Sequence, residues 1–328
     1  MRIEWSSCLR MNIKASPKPN ILITGGAGLI GTASKTYFEQ RGWTVSTLDL
    51  KKYDLDGRLI DHVGDIVEFN PLQDILTDID GILHLAAVSR VIDAELNKEE
   101  CTRVNVNGTK RLLEAASAAK CRWFIFGSSR EVYGEPPSLP VSEDDGVAPI
   151  NHYGHAKVIG ENMVEKHCEI NGMAYSNLRF SNVYGHPGDH QTRLVNAFII
   201  QALKSEALEI HGGGQLFDFT HIDDTAGAIF SAANLLHEKN ENLPPIHVLP
   251  GNAVAIEDLA AKVLTITDSD SKITYTAGRD YDVERFHGDP SRMNKILKYE
   301  CSIDIISGLK KCAALHRKRL LSSKGDIR

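Results

Sequence analysis

The chain has neither a long apolar run nor an excess of positive charge. Of its 328 residues, 42 % are hydrophobic and 24 % are charged, and no uninterrupted apolar segment approaches membrane-spanning length. The formal net charge is −6, which gives no general reason for binding to nucleic acid. These absences predict an ordinary globular protein whose partners include neither a membrane nor nucleic acid.

Paired cysteines are also absent. The six cysteines are scattered, with no C-x-x-C pair and no Cys/His cluster that would suggest zinc or redox chemistry, so no metal is expected. They are predicted to be reduced thiols of a cytoplasmic protein. Residues 1–19 lack the apolar core of a secretory signal and are expected to form a flexible N-terminal extension.

A glycine cluster near the start of the chain is the most informative feature that is present. The apolar run Ile21–Thr24 leads into glycines spaced G-x-x-G-x-x-G at positions 25, 28 and 31, and a helix-compatible sequence follows. This order predicts a strand, a tight turn and a helix whose N-terminus binds the pyrophosphate of a dinucleotide. Gly25 would make the turn, Gly28 would allow close approach, and Gly31 would let the helix pack on the strand. Leu29 and Ile30 begin the helix and belong to the predicted cofactor contact.

An acidic residue at the end of the second apolar run suggests which dinucleotide binds. Asp49 lies eighteen residues after Gly31 and directly follows the run Trp43–Leu48. A carboxylate near this offset accepts hydrogen bonds from the ribose hydroxyls of NAD and repels the 2′-phosphate of NADP. NAD is therefore predicted, while Lys51 and Lys52 keep NADP as an alternative.

Short apolar runs alternate with helix-like segments over the first half of the chain, which predicts a doubly wound parallel α/β sheet over residues 20–180. The predicted strands are Ile21–Thr24, Thr44–Leu48, Gly81–Leu85, Trp123–Phe126 and Ser176–Arg179. The predicted helices lie near Leu29–Arg41, Pro71–Leu76, Asn97–Ala119 and His152–Asn171. After Phe180 this order loosens, with one further helix near Val195–Lys204. Residues 181–328 are expected to form a smaller substrate-binding lobe, some segments of which return to the sheet.

Two motifs carry groups suited to proton transfer. Tyr153 and Lys157 are four residues apart on a predicted helix and share one face, so the ammonium is expected to lower the pKa of the phenol. Such a tyrosine could take a proton from a substrate hydroxyl while hydride leaves the carbon. Ser129 follows a buried strand and would reach the same crevice, where it could bond the reacting sugar oxygen.

Together these motifs resemble the extended short-chain dehydrogenase/reductase family, specifically its NAD-dependent nucleotide-sugar epimerase/dehydratase branch. The resemblance runs from about Asn20 to Leu297 and implies a Rossmann-type fold with a smaller C-terminal substrate-binding lobe. It implies that Ser129, Tyr153 and Lys157 are catalytic and that the protein forms a homodimer through the helices near Asn97–Ala119 and His152–Asn171. Further family-like segments add cofactor contacts at Asp65, Ile66, Leu85, Ala86, Ala87 and Asn105 and nucleotide-sugar contacts at Ser129, Arg130, Asn182, Arg193, Ile210 and Arg279.

The chain departs from the family pattern at two places. Phe217 stands where the family commonly has an arginine that contacts the diphosphate, and Arg193 and Arg285 are candidates to replace it. Arg130 stands where the 4,6-dehydratases have an aspartate, although the following Glu131, their C5 base, is kept. Because arginine stays protonated, Arg130 argues against standard 4,6-dehydration.

Three functions follow as hypotheses. The leading one is a nucleotide-sugar 4-epimerase of the UDP-hexose type, which forms a transient 4-keto sugar with Tyr153 as the base. The alternative is a dehydratase or decarboxylase that uses the same intermediate and Glu131 as the C5 base; equally, Glu131 could simply pair with Arg130 or Lys157. A non-catalytic NAD sensor is the third, and it does not require Ser129, Tyr153 and Lys157 together.

Overall fold

The computed structural model describes residues 18–325, so most of the predicted extension at residues 1–19 lies outside the described residues. The polypeptide forms fourteen strands within this range, each numbered in chain order. They are β1 (Asn20–Thr24), β2 (Thr44–Asp49), β3 (His62–Val63), β4 (Gly81–His84), β5 (Trp123–Ser129), β6 (Ala174–Phe180), β7 (Asn182–Tyr184), β8 (Leu208–His211), β9 (Leu216–Phe217), β10 (Phe219–His221), β11 (Ile246–Val248), β12 (Val254–Ala255), β13 (Ile273–Thr276) and β14 (Arg285–Phe286).

Ten α-helices alternate with or follow these strands in the described part of the chain. They are α1 (Leu29–Glu39), α2 (Val91–Leu96), α3 (Lys98–Cys101), α4 (Thr109–Ala118), α5 (His152–Asn171), α6 (Leu194–Leu203), α7 (Ile222–Lys239), α8 (Ile256–Thr267), α9 (Ser291–Leu297) and α10 (Ile305–Gly325). None of the helices within residues 18–325 is both long and apolar enough to cross a bilayer.

A seven-stranded parallel sheet forms the centre of the molecule. Its strand order is β11-β6-β5-β4-β1-β2-β3. The chain adds β2 and β3 on one side of β1 and then β4, β5, β6 and β11 on the other, so the sheet is doubly wound. Strands β4, β5 and β6 are buried along their whole length, as is expected for parallel strands that helices cover on both faces. The predicted α/β Rossmann-type fold is confirmed. β5 continues three residues past its predicted end, which carries Ser129 to the carboxyl edge of the sheet.

Two helix predictions need correction. The segment Pro71–Leu76 forms two short 3₁₀ turns, Asn70–Leu72 and Asp74–Leu76, because the backbone at Pro71 is not helical. The predicted helix Asn97–Ala119 is interrupted at Thr102–Gly108 by a π-helical segment between α3 and α4. Such π segments rotate the following side chains relative to an α-helix, and they are frequent at functional sites.

The second half of the chain builds small sheets above the carboxyl edge of the central sheet. β9 pairs with β12 and β14, β8 with β13, and β7 with β10. A separate apolar core underlies them, and its aromatic members are Tyr133, Tyr184, Phe198, Phe217, Phe219 and Phe286. The segment from α7 to β11 returns to the central sheet: α7 packs against α1, and β11 pairs with β6.

Candidate functional site

The glycine turn between β1 and α1 is packed so closely that side chains are excluded. A Cβ at Gly31 would lie 2.3 Å from the carbonyl oxygen of Gly25. Gly25 has a φ of +74°, and a Cβ there would lie 2.7 Å from the backbone nitrogen of Ala86. No side chain caps α1, whose first turn begins at Leu29. The first turn of α1 thus leaves its backbone N–H groups open to the oxygens of a pyrophosphate.

Asp49 lies at the end of β2 and is fixed against this turn. Its Oδ2 accepts a hydrogen bond from the backbone of Ala27 at 3.0 Å, and its Oδ1 accepts one from the backbone of Lys51 at 2.9 Å. Each carboxylate oxygen has a further lone pair for a ribose hydroxyl. Asp49 does not itself line the cavity described below, and its contact with the ribose of NAD stays a prediction.

A cavity of about 790 Å³ extends from the glycine turn to the loop that carries Arg279. It brings together residues from the turns that follow β1 and β4, from α1, β5, α5, β7 and α6, and from segments of the second lobe. The predicted site residues that line it are Gly25, Gly28, Leu29, Ile30, Gly31, Leu85, Ala87, Ser129, Arg130, Glu131, Tyr153, Lys157, Asn182, Arg193 and Arg279. Arg285, one of the two candidates to replace the missing arginine, is exposed and lies outside this lining.

Four predicted contact residues make internal contacts instead. Asp65 accepts a hydrogen bond from Arg103 at 2.6 Å, and Ile66 packs in the core below the sheet. The backbone of Ala86 donates to Thr24 Oγ1. Asn105, at 2 % exposure, accepts from the backbone N–H of Val88 at 2.8 Å and donates to its carbonyl oxygen at 3.1 Å. Asn105 therefore holds the loop that follows β4, and its side chain does not reach the cavity.

The assignment of Ile210 to the nucleotide site is wrong for its side chain. In β8 the buried residues Leu208 and Ile210 alternate with the exposed residues Glu209 and His211. Because successive side chains of a strand point to opposite faces, Ile210 packs into the core while Glu209 and His211 line the cavity. The alternation is visible in the sequence L-E-I-H and could have identified both residues.

Helix α5 places Tyr153 and Lys157 side by side at the cavity wall. Asn151 begins the helix, since its Oδ1 accepts a hydrogen bond from the backbone of Gly154 at 2.8 Å. Lys157 Nζ donates to the carbonyl oxygen of Gly127 at 2.6 Å and lies 5.6 Å from the centre of the Tyr153 ring. Gly127 belongs to β5, so this contact ties the helix to the strand that carries Ser129.

The expected lowering of the Tyr153 pKa is not found in the protein alone. Burial raises the pKa of Tyr153 to about 12, against the opposing effects of the Arg193 charge and a hydrogen bond with Ser129. Burial also lowers the pKa of Lys157 to about 8. The charge that lowers the pKa of Tyr153 is that of Arg193 and not, as the spacing suggested, that of Lys157, and the loss of water around the phenol is the larger effect.

Arg130 and Glu131 form a buried ion pair in the short turn that follows β5. The distance between Arg130 Nη2 and Glu131 Oε1 is 2.9 Å, and both side chains are about 10 % exposed or less. The other carboxylate oxygen, Oε2, accepts from Asn151 Nδ2 at 2.7 Å. The Arg130 guanidinium lies 4.3 Å from the centre of the Phe217 ring. Of the partners that the sequence left open for Glu131, the structure selects Arg130.

Sequence reasoning missed further cavity residues. Asp282 faces Arg279 at 3.8 Å, and burial raises the pKa of its carboxyl while Arg279 lowers it. Asn151, which does not line the cavity but holds Glu131, was also missed, although Asn before a helix is a common N-cap signal. No group of three or more His, Cys, Asp or Glu residues within the described range is arranged to bind a metal ion.

Comparison with known proteins identifies a family that matches most of this chain. The model of the NAD dependent epimerase/dehydratase family matches residues 21–243. The UDP-glucose 4-epimerase of Halalkalibacterium halodurans is 31 % identical over 243 residues, which cover 68 % of this chain and 73 % of that protein.

Two solved structures share the fold over nearly their whole length. The structure of MoeE5 in complex with UDP-glucuronic acid and NAD has a TM-score of 0.86 and 28 % identity, covering 92 % of this chain and 99 % of that one. The UDP-glucose 4-epimerase of Thermotoga maritima, solved with UDP-glucose, has a TM-score of 0.84 and 26 % identity over the same shares.

Proposed function

Since the chain belongs to the NAD dependent epimerase/dehydratase family, and is therefore an NAD-dependent enzyme of nucleotide-sugar chemistry, we propose that it is a UDP-hexose 4-epimerase. The observation that carries the proposal is the state of the two candidate bases in the cavity. Both oxygens of Glu131 are held by Arg130 and Asn151, whereas Tyr153 and Ser129 line the cavity together. A carboxylate engaged in this way is a poor base, which favours chemistry at the sugar hydroxyl over chemistry at C5.

The residues present fit NAD. The cradle formed by Gly25 and Gly31 has no room for a Cβ, the first turn of α1 is uncapped, and Asp49 is fixed beside it. Leu85 and Ala87 line the next part of the cavity. When bound, NAD supplies the acceptor and donor of hydride at C4 and a positive charge that would lower the pKa of Tyr153.

Side chains of the protein carry out proton transfer and bind the cofactor ribose and the diphosphate. Tyr153 takes the proton of the 4-hydroxyl and returns it after the keto sugar has turned, and Ser129 hydrogen-bonds the same oxygen. Lys157 binds a ribose hydroxyl, and its hydrogen bond to the carbonyl oxygen of Gly127 holds α5 against β5. Arg193 and Arg279 bind the diphosphate, for which guanidinium groups are suited, and Asn182 borders it.

Product analysis tests the proposal directly. UDP-glucose, UDP-galactose and UDP-glucuronic acid are incubated with the enzyme and followed by NMR. We expect inversion at C4 without a change of mass, and loss of this activity by a factor of at least about 100 in Tyr153→Phe, the range of a general base. Tyr175→Phe, which removes a hydroxyl from β6 away from the cavity, is the matched control. Full activity of Tyr153→Phe would refute the mechanism.

A dehydratase or decarboxylase remains the second candidate, because Glu131 lines the cavity. Loss of water or carbon dioxide from the sugar in the same NMR experiment would support it. Absence of any product while NAD remains bound would favour the sensor.

We also propose a cytoplasmic homodimer. Ile159 and Ile170 on α5 are 46 % and 83 % exposed, which leaves apolar side chains on the helix that the resemblance assigns to the interface. Light scattering coupled to gel filtration measures the mass, and Ile170→Asp is expected to shift it toward the monomer.

A further inference from the structure

The ion pair between Arg130 and Glu131 lies directly beside the reacting groups. Glu131 donates its backbone N–H to Ser129 Oγ at 3.2 Å, and its charge is among those that affect the pKa of Tyr153. Arg130, Glu131, Ser129 and Tyr153 all line the same cavity. The carboxylate thus stands close to the sugar ring that Ser129 and Tyr153 would bind.

Three contacts fix the pair in place. Arg130 Nη2 holds Oε1 of Glu131 at 2.9 Å, and Asn151 Nδ2 holds Oε2 at 2.7 Å. Asn151 is at the same time the N-cap of α5, the helix that carries Tyr153. The Arg130 guanidinium packs at 4.3 Å on the ring of Phe217, which restricts its orientation. The carboxylate is therefore fixed relative to Tyr153 and has no unengaged oxygen.

The pairing of Glu131 matters because a 4-keto sugar can lose a proton from C5. Once C4 is a carbonyl carbon, the hydrogen on C5 becomes acidic. A free carboxylate could take that proton, so that the C5–H electron pair forms a C4–C5 double bond and the charge moves to the C4 oxygen. Reprotonation on the other face would invert C5, and expulsion of the C6 oxygen would break the C6–O bond. Either outcome would divert the intermediate.

We propose that Arg130, with Asn151, is a positioning residue that keeps Glu131 paired and so prevents proton removal from C5. Proton transfer is thereby confined to the C4 oxygen, and the configuration at C5 is preserved. The inference rests on the proposed 4-epimerase function. It adds a reason why the reaction changes the configuration at C4 only.

Deuterium exchange during turnover tests the inference. The enzyme is incubated with UDP-glucose or UDP-galactose in D₂O, and deuterium at C5 is measured per C4 inversion by NMR. We expect almost none in the wild type and an increase of about 100-fold in Arg130→Met, the contribution typical of a released general base. Met retains an unbranched side chain against Phe217 while removing the charge and the donors. Arg130→Lys restores a cation and should suppress exchange again.

Double substitution identifies the base. In Arg130→Met/Glu131→Gln both charges are removed, which avoids an unpaired buried carboxylate, and exchange at C5 should return to the wild-type ratio. Arg122→Met, at an exposed arginine outside the cavity lining, is the matched control and should leave the ratio unchanged. Exchange that persists in the double variant, or exchange at C5 in the wild type, would overturn the assignment.

A keto-sugar probe separates this inference from the proposed function. UDP-4-keto-6-deoxyglucose in D₂O presents the acidic C5 hydrogen without any hydride transfer. The Arg130→Met enzyme should label C5 of this probe faster than the wild type, and equal rates would refute the inference. Failure of the wild type to invert C4 of any UDP-sugar would refute the epimerase proposal alone, because the keto probe still reports on Arg130 and Glu131.

Discussion

Replacement of Lys157 by methionine should stabilise the cofactor-free protein at neutral pH while abolishing turnover. Lys157 is 4 % exposed, and its burial lowers the pKa of the ammonium from 10.5 to about 8. At 1.36 kcal/mol per pKa unit, keeping this lysine charged in the folded state costs about 3 kcal/mol. Methionine has a similar length, carries no charge and can pack on the ring of Phe126, which lies 4.7 Å from Nζ.

The pH dependence makes this prediction specific. Because the folded-state pKa is lower than the unfolded-state value, the unfolded chain binds more protons between pH 8 and 10.5, and the free energy of unfolding of the wild type rises with pH. The cost of the buried charge is fully present below pH 8 and is lost as the pH approaches 10.5. From pH 7 to pH 9.5 it should fall from about 3 to about 1 kcal/mol.

Urea unfolding of both proteins, freed of cofactor, measures the effect between these pH values. The lost hydrogen bond to Gly127 lowers the gain by about 1 kcal/mol at every pH, so the change with pH is the decisive quantity. The advantage of Lys157→Met over the wild type should shrink by about 2 kcal/mol from pH 7 to pH 9.5. Lys166→Met, at an exposed position of the same helix, controls for the loss of one positive charge. An advantage that does not vary with pH would refute the reasoning.

Three further predictions concern a buried ion pair behind the site and two residues of the predicted cofactor site. Glu161 is bound to Arg179 by two contacts of 2.9 and 2.7 Å, so Glu161→Gln, measured by urea unfolding, should cost about 3–5 kcal/mol, and a loss below about 1 kcal/mol would contradict this. Gly31→Ala should abolish NAD binding in calorimetry, since its Cβ would meet the Gly25 carbonyl oxygen at 2.3 Å, whereas Gly146→Ala, with open space around it, should bind normally. Asp49→Asn should weaken NAD about tenfold and reduce discrimination against NADP, and unchanged preference would show that Asp49 does not select the cofactor.

Prediction of the site succeeded best where the arrangement depends on residues that are close in the sequence. The glycine turn at Gly25–Gly31 and the pair Tyr153/Lys157 are local patterns, and the structure places each where the spacing predicts. In each case the backbone geometry of one turn or one helix determines the arrangement.

Prediction was weaker where a side chain's environment comes from distant segments. Tyr153 and Lys157 are surrounded by residues from several elements. Their burial, which the sequence does not show, raises the pKa of Tyr153 against the predicted lowering and lowers the pKa of Lys157, for which no shift was predicted. Asn105 was predicted to contact the cofactor, but in the π-helical segment its side chain bonds to the backbone of Val88. The resemblance indicates the segment of Ile210 but not the direction of each side chain, and the alternation along β8 turns Ile210 into the core.

The two departures from the family pattern, Arg130 and Phe217, have a common structural explanation. Arg130 and Phe217 are far apart in the sequence, yet the guanidinium lies 4.3 Å from the centre of the aromatic ring. An arginine at position 217 would bring two guanidinium charges to about this distance, and their repulsion would amount to roughly 4 kcal/mol at an effective dielectric constant of about 20. A phenylalanine instead offers a flat surface on which the Arg130 guanidinium can stack. A chain with arginine at position 130 therefore favours an uncharged, aromatic residue at position 217, so that the two departures describe one local rearrangement around Glu131.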